Sequence, residues 1–218
     1  MCLTMGLRPR ELRATAQSMG DELRYLPVLA VNDFGDQETN DTFHDVFPRG
    51  RLIDLGGHVG HIKALRALYR EVETPYVFHC EDDWTFTRSN FLDECIAILD
   101  QTPEISQVVL RKADDIRHAR EAGPELSVET HAGTEIFRLD DRDEVWFCFT
   151  FNPHVARLSD WQSIISRRQL RGEKPASRRM RNRGRYSAFL MEGACHHGGA
   201  RNSVRKNVVQ LRARSSAA

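Results

Sequence analysis

The sequence has no net charge, no CxxC pair, no long apolar run and no repeat, and each absence removes a class of protein. Its 31 basic side chains balance 31 acidic ones. No window approaches the roughly 18 apolar residues that a membrane helix needs, and the first residues lack the basic segment and apolar block of a secretory signal. The expectation is a soluble, cytoplasmic protein without a membrane span. Five cysteines, Cys2, Cys80, Cys95, Cys148 and Cys195, are an odd number without metal-type spacing. Neither a disulfide framework nor a zinc knuckle is indicated, and reduced thiols are expected. With only 14 Gly and 8 Pro, and no period, collagenous, solenoid and wholly disordered classes are excluded.

What is present is 218 residues, 40% of them hydrophobic, enough for one sizeable core and too short for two comfortable enzyme domains. The charge is unevenly placed: from residue 167 onward there are 14 basic and two acidic side chains, so that stretch carries +12 and the rest −12. A basic third of this kind can meet nucleic acid, an acidic polymer or phosphate groups, or pair with the acidic remainder of its own fold.

Periodicity divides the chain into alternating strands and helices. After a short apolar start, Arg8-Pro9-Arg10 leads a helical pattern in which Leu12, Ala16 and Met19 share a face. Residues 26–31 read as a buried strand ended by the turn-forming Asn32-Asp33-Phe34-Gly35-Asp36, residues 41–50 as loop, and 52–55 as a brief extended piece. Ile62, Leu65 and Tyr69 give a second helical stripe, residues 76–80 a compact strand, and Leu92, Cys95, Ile96 and Leu99 a third helical face. Residues 105–110, 136–139 and 145–151 read as strands, and 111–129 as a mobile loop. A helix starts near Leu158 with Ser159 or Asp160 as its cap, a basic helix covers 174–183, and a strand-like stretch covers 186–195. This order predicts an α/β domain with a mainly parallel sheet, whose ligands bind beyond the carboxyl ends of the strands.

Glu81-Asp82-Asp83 follows the strand at 76–80, so the backbone delivers three carboxylates to that edge. In an extended segment Glu81 and Asp83 project to one side and Asp82 to the other. Two readings stand: a solvated turn with helix-capping acids, or a hard-oxygen site for magnesium, manganese or calcium that relieves the mutual repulsion.

The stretch Tyr76-Val77-Phe78-His79-Cys80-Glu81-Asp82-Asp83-Trp84-Thr85-Phe86 resembles the strand and DxD-type motif of GT-A glycosyltransferases, especially family-2-like enzymes. Here the motif reads EDD. Cys2-Leu3-Thr4-Met5 with Arg8-Pro9 is similar to the first strand and helix entry of that fold. Residues 28–36 resemble its second strand with a nucleotide-facing acid, and Leu55-Gly56-Gly57-His58-Val59-Gly60 the loop before the next helix. Residues 192–201 resemble the late segment that supplies a metal-binding histidine and a basic phosphate contact. The resemblance covers roughly residues 1–205, giving a single GT-A-like, Rossmann-like domain followed by a basic tail, 206–218, partly disordered.

Carried over, the resemblance implies a nucleotide-sugar donor and Mn2+ or Mg2+. Asp83 would coordinate the metal, with Glu81 helping at the ribose or the metal's waters and Asp82 nearby. His197 would be the distant ligand because it precedes Gly198-Gly199, whose missing side chains let a diphosphate approach; His196 is the rival. Arg201 would contact phosphate, and Asp33 would face the nucleobase or serve only as an Asx-turn residue. Lys63 and His61 would touch phosphate or decorate a solvent face. Glu173, just before Lys174-Pro175 at a helix start, is the first choice for the base that activates an acceptor hydroxyl, and Asp160 the second; no local spacing fixes the direction of Glu173, and by itself it reads more readily as a surface helix-start charge. Trp84, Trp146 and Trp161 stack on sugars or fill the core, and for Trp146 the core is expected. The sugar, nucleotide, acceptor (glycan, lipid-linked or other) and oligomeric state are open. Two competing readings are a nucleic-acid-binding protein using Arg178, Arg179, Arg181, Arg183 and Arg185, for which no recognisable module is present, and a GT-A-like protein that binds but does not catalyse.

Overall fold

The computed structural model describes residues 1–122, 126–141, 147–166 and 170–198. Strands β1 (Cys2–Met5), β2 (Leu29–Asn32), β3 (Arg51–Ile53) and β4 (Tyr76–Glu81) alternate with helices α1 (Pro9–Ser18), α2 (Asp21–Arg24), α3 (Gln37–Val46) and α4 (His61–Arg70). Then come β5 (Trp84–Phe86), α5 (Leu92–Gln101), β6 (Ile105–Val109), α6 (Arg117–Ala122), β7 (Val128–His131) and β8 (Thr134–Phe137). The chain continues through β9 (His154–Arg157), α7 (Leu158–Ile165), α8 (Glu173–Arg181), β10 (Tyr186–Leu190) and β11 (Cys195–His197).

Nine strands form one sheet in the order β3-β2-β1-β4-β9-β6-β10-β8-β7, and β11 with β5 forms a separate two-stranded ribbon. β1, β2, β3 and β4 pair in parallel, as do β6 and β10, whereas β9 lies antiparallel between β4 and β6. β8 is antiparallel to β10 and β7, so β8 and β9 alone run against the common direction of this sheet. The mainly parallel α/β class holds.

Side-chain alternation splits the core into two layers. Leu3, Ala30, Phe78 and Val155 pack with α1, α2, α3 and α5. Their chain neighbours Cys2, Val31, Val77 and Ala156 pack on the other face with α4, α7 and α8. All five cysteines are buried free thiols.

Several expectations are corrected. Residues 41–50 are not simply loop, because α3 runs to Val46; Asp36 caps it by accepting from Thr39 N at 3.1 Å, and Phe43 with Phe47 carries its burial. Within the helix only Phe43 and Val46 are apolar, which hid the periodicity. Within 111–129 lie a 3-10 turn (Ala113–Asp115), α6 and the start of β7, with 123–125 outside the described residues. The aromatic run at 145–151 is not a strand where it is described. Phe147, Cys148 and Phe149 are buried, but the ladder starts after Pro153, at β9. α7 starts at Leu158 with no side-chain cap from Ser159 or Asp160. The stretch at 186–195 is broken at 191–194 between β10 and β11.

Candidate functional site

Parallel pairing puts the carboxyl ends of β1, β2 and β4 side by side: Met5 is level with Asn32, and Thr4 with Glu81. The segments that leave these ends carry Arg8, Asp33 and Asp82-Asp83 to one edge, the crevice position of open α/β sheets.

Asp82 is fully buried; its Oδ2 accepts from Gly6 N at 3.0 Å and its Oδ1 from the Arg8 guanidinium. Burial, reinforced by the Asp83 charge, pushes its carboxyl up to about 7 despite Arg8. Asp83 Oδ2 accepts from Arg8 and from His197 Nε2, the latter at 3.1 Å. Burial acts upward on Asp83 too, but the His197 hydrogen bond and the Arg8 charge outweigh it and hold this carboxyl below its usual value. Glu81, half-buried, accepts from Trp84 Nε1 at 3.3 Å, and desolvation with the Asp83 charge raises it to about 8.

The second ribbon explains how His197 arrives. β11 pairs antiparallel with β5 in the register His197↔Trp84, His196↔Thr85, Cys195↔Phe86. Alternation then leaves His196 exposed and turns His197 inward, its ring 5.0 Å from Trp84. Gly198 N donates to Asp83 O at 2.9 Å, and a Cβ there would lie 2.9 Å from Thr85 Oγ1. The missing side chain at 198 thus makes room for Thr85; Gly199 and Arg201 lie outside the described residues.

His197 N also donates to Asp115 Oδ2 at 3.0 Å, which accepts from Arg111 Nε at 2.9 Å. Arg111 Nη1 reaches Asn152 Oδ1 at 3.1 Å, and Asn152 Nδ2 reaches Thr150 Oγ1 at 2.6 Å. Thr150 in turn donates to Glu173 Oε1, which also accepts from Phe151 N at 2.8 Å. This chain of hydrogen bonds ties Glu173, at the start of α8, to the same edge. Pro175 is the third helical residue, within the first turn.

Asp33, at the end of β2, has a buried Oδ1 without a hydrogen-bond partner among the described residues, an acceptor that a ligand donor can satisfy. Beside it Phe34 stacks on His58, with centroids 4.3 Å apart. His61, facing inward from the first turn of α4, is held below its usual value by burial, with Asp33 opposing and Arg8 assisting. Lys63 is exposed on the same turn and forms no ion pair among the described residues.

Asp160 is displaced from this site. Arg157, paired with the first residue of β4, donates to Ile105 O at the beginning of β6, and Asp160 accepts from Arg157 and Arg185 at 3.4 and 2.6 Å. It lies at the opposite edge of the sheet as a buried ion-pair centre. Trp161 is core, stacked 4.0 Å from Tyr69, and Trp84 is buried against His197. Trp146 lies outside the described residues. Arg8, Arg111, Asp115 and Asn152 were not foreseen in these contacts; only Arg8 left a local mark, the Arg-Pro helix entry after β1.

Among the described residues no group of three or more His, Cys, Asp or Glu is set to hold a metal ion by itself. Asp83 Oδ2 and His197 Nε2 nevertheless give one hard oxygen and one imidazole nitrogen 3.1 Å apart. Neighbouring ligands about 2.1 Å from one octahedral ion are separated by about 3 Å, so this pair fits an ion that draws its remaining ligands from phosphate and water.

No helix among the described residues is long and apolar enough to cross a membrane. No family model matches the sequence, and no curated protein matches it. Solved structures do match in fold. The mannosyltransferase PcManGT from Pyrobaculum calidifontis, in complex with GDP-Man and Mn2+, is similar with a TM-score of 0.61 at 10% identity, over 93% of this chain and 57% of that one. GalNAc-T7 with UDP, GalNAc and Mn2+ is similar with a TM-score of 0.59 at 9% identity, over 90% of this chain and 42% of that one. A CMP:2-keto-3-deoxy-manno-octonic acid synthetase complexed with CTP aligns over 98% of both chains, with a TM-score of 0.53 at 12% identity. The chain thus spans little more than half of the mannosyltransferase. With its carboxylates gathered at the carboxyl edge of a sheet of this order, the chain has a GT-A-like fold.

Proposed function

We propose that the protein is a metal-dependent glycosyltransferase that moves a sugar from a nucleoside-diphosphate donor to an acceptor hydroxyl. The observation that carries this reading is the meeting of Asp83 and His197, 114 residues apart in sequence, at the ligand-binding edge of the sheet. The fold supports it, as do the GDP-Man and Mn2+ in one similar structure and the UDP, GalNAc and Mn2+ in another.

In this reading Asp33 Oδ1 accepts a hydrogen bond from the nucleobase, and Glu81 lies toward the ribose. Asp83 and His197 hold Mn2+ or Mg2+, which when bound stabilises the negative charge gathering on the departing diphosphate. Glu173 is the base. Thr150 and Phe151 N fix its Oε1, leaving Oε2 to accept the acceptor's proton. The hydroxyl oxygen then bonds to the anomeric carbon as the bond to the diphosphate oxygen breaks.

The test is a screen of nucleotide sugars with Mn2+, reading released nucleoside diphosphate, on wild type and Asp83→Asn. Asn retains an acceptor for Arg8, so the variant should fold and lose metal-dependent turnover. Unchanged turnover refutes the role of Asp83. The full-length match to a synthetase favours one second reading, nucleotidyl transfer to a sugar. Release of pyrophosphate from a nucleoside triphosphate, in place of nucleoside diphosphate from a nucleotide sugar, identifies it.

A further inference from the structure

Arg8 lies between the two carboxylates that a cation would neutralise. Its Nη2 donates to Asp82 Oδ1 and its Nη1 to Asp83 Oδ2, the oxygen that also accepts from His197. Water screens these charges little, since the Arg8 side chain is 13% exposed, Asp83 8% and Asp82 0%. The guanidinium has no other hydrogen bond among the described residues, and its buried Nε has no partner. The backbone anchors its base: Arg8 O accepts from Leu12 N at 3.0 Å as α1 begins. The two carboxylates are held unequally. Asp82 is pinned by Gly6 N, and its own carbonyl accepts from Thr15 Oγ1 at 2.9 Å. Among the described residues, the Asp83 carboxylate is held only by two side chains that can turn away.

We infer that Arg8 is a built-in competitor for the divalent ion: it neutralises Asp83 in the free protein, opposes binding of metal alone, and releases Asp83 but not Asp82 when a diphosphate arrives with the metal. The inference rests on the reading of Asp83 and His197 as metal donors. A divalent ion entering alone must displace a guanidinium from Asp83 and leave its Nη1 donors unpaired in a dry place, which is costly. A diphosphate changes that balance. Its oxygens complete the ion's shell and give Nη1 a new charged acceptor, a geometry guanidinium suits well. Metal and diphosphate should therefore bind with positive coupling, equal from either side.

The experiment measures free Mn2+ by electron paramagnetic resonance, metal alone, against wild type, Arg8→Gln and Arg8→Lys, with circular dichroism as the folding control. Arg8→Gln should bind Mn2+ at least about tenfold more tightly than wild type, because a neighbouring positive charge is gone. Arg8→Lys, which keeps the charge, should stay near wild type. Inorganic pyrophosphate should raise Mn2+ affinity more in wild type than in Arg8→Gln. If Arg8→Gln fails to fold, the double variant Asp82→Asn/Arg8→Gln, which removes the buried charge together with its partner, takes its place and is compared with Asp82→Asn, so that the two differ by the Arg8 charge alone. Affinity that is no tighter in the Gln variants, or equally tight in Arg8→Lys and Arg8→Gln, overturns the inference. Adding Asp83→Asn to the Gln background separates the two levels: its binding should vanish. If Mn2+ binding persists, the Asp83 reading and the inference both fall; if it vanishes while the Arg8 variants match wild type, the inference falls alone.

Discussion

His79 and His154 are register partners across β4 and β9, with ring centroids 5.2 Å apart in the core. Tyr69 Oη lies 2.8 Å from His79 Nδ1, and Trp161 Nε1 donates to His154 Nε2 at 3.0 Å. These contacts suit neutral rings. Burial, with the charge of His154 next, holds His79 well below its usual value, and burial lowers His154 to about 4.

A pH dependence of stability follows. Below the unfolded value near 6.5 the unfolded chain takes up protons that the folded one refuses, so each histidine lowers stability by about 1.4 kcal/mol per pH unit until its folded value is reached. Glu81 and Asp82, raised to about 8 and about 7, act with the opposite sign as pH rises above the unfolded carboxyl range. The measurement is therefore a difference: urea unfolding of wild type and His154→Gln at pH 6.5 and 4.5. The wild type should lose more stability over that interval; equal losses would show that His154 is not held neutral.

For the histidine pair at the ribbon, His197→Ala should weaken Mn2+ and nucleoside-diphosphate binding about tenfold or more, whereas the exposed His196→Ala should leave it nearly unchanged. Calorimetric titration checks both, and the reverse order would move the ligand by one residue.

Glu173→Gln retains a carbonyl acceptor for Thr150 and Phe151 N, so donor binding and melting temperature should hold. Transfer to an acceptor should fall by about 10²–10⁴, the range for loss of a positioned base. Transfer at the wild-type rate would remove Glu173 from the chemistry.

Asp160→Asn should behave in the opposite way. It leaves Arg157 and Arg185 without their carboxylate in a poorly hydrated place, for a loss of about 1–3 kcal/mol. Turnover per folded molecule should be unaffected, because the residue lies at the far edge of the sheet. Thermal melts and active-site-normalised rates test the two halves separately.

Local patterns reveal the elements whose information is local. Leu12, Ala16 and Met19 mark α1, Leu65 and Tyr69 mark α4, and the compact run at 76–81 marks β4, because one buried face imposes its period on the residues that form it. By the same logic the acids after β4 are readable as a group placed at a strand end. α3 escaped because its cap, Asp36, and two phenylalanines do what a full apolar stripe does elsewhere. β9 is not legible locally because an antiparallel strand inserted between β4 and β6 is defined by its partners, and the run before it is the more apolar of the two.

By itself, then, the sequence determined the alternating α/β order, the thiol state of the cysteines and the presence of three carboxylates at the end of one strand, all properties of neighbours along the chain. Tertiary structure alone decided that His197 and not His196 turns to Asp83, that Arg8 stands between the acids, that Glu173 is tied to their edge, and that Asp160 lies far away. Those facts depend on strand register and on which ends of the sheet meet, and pairing between segments over a hundred residues apart leaves no periodic trace in either segment.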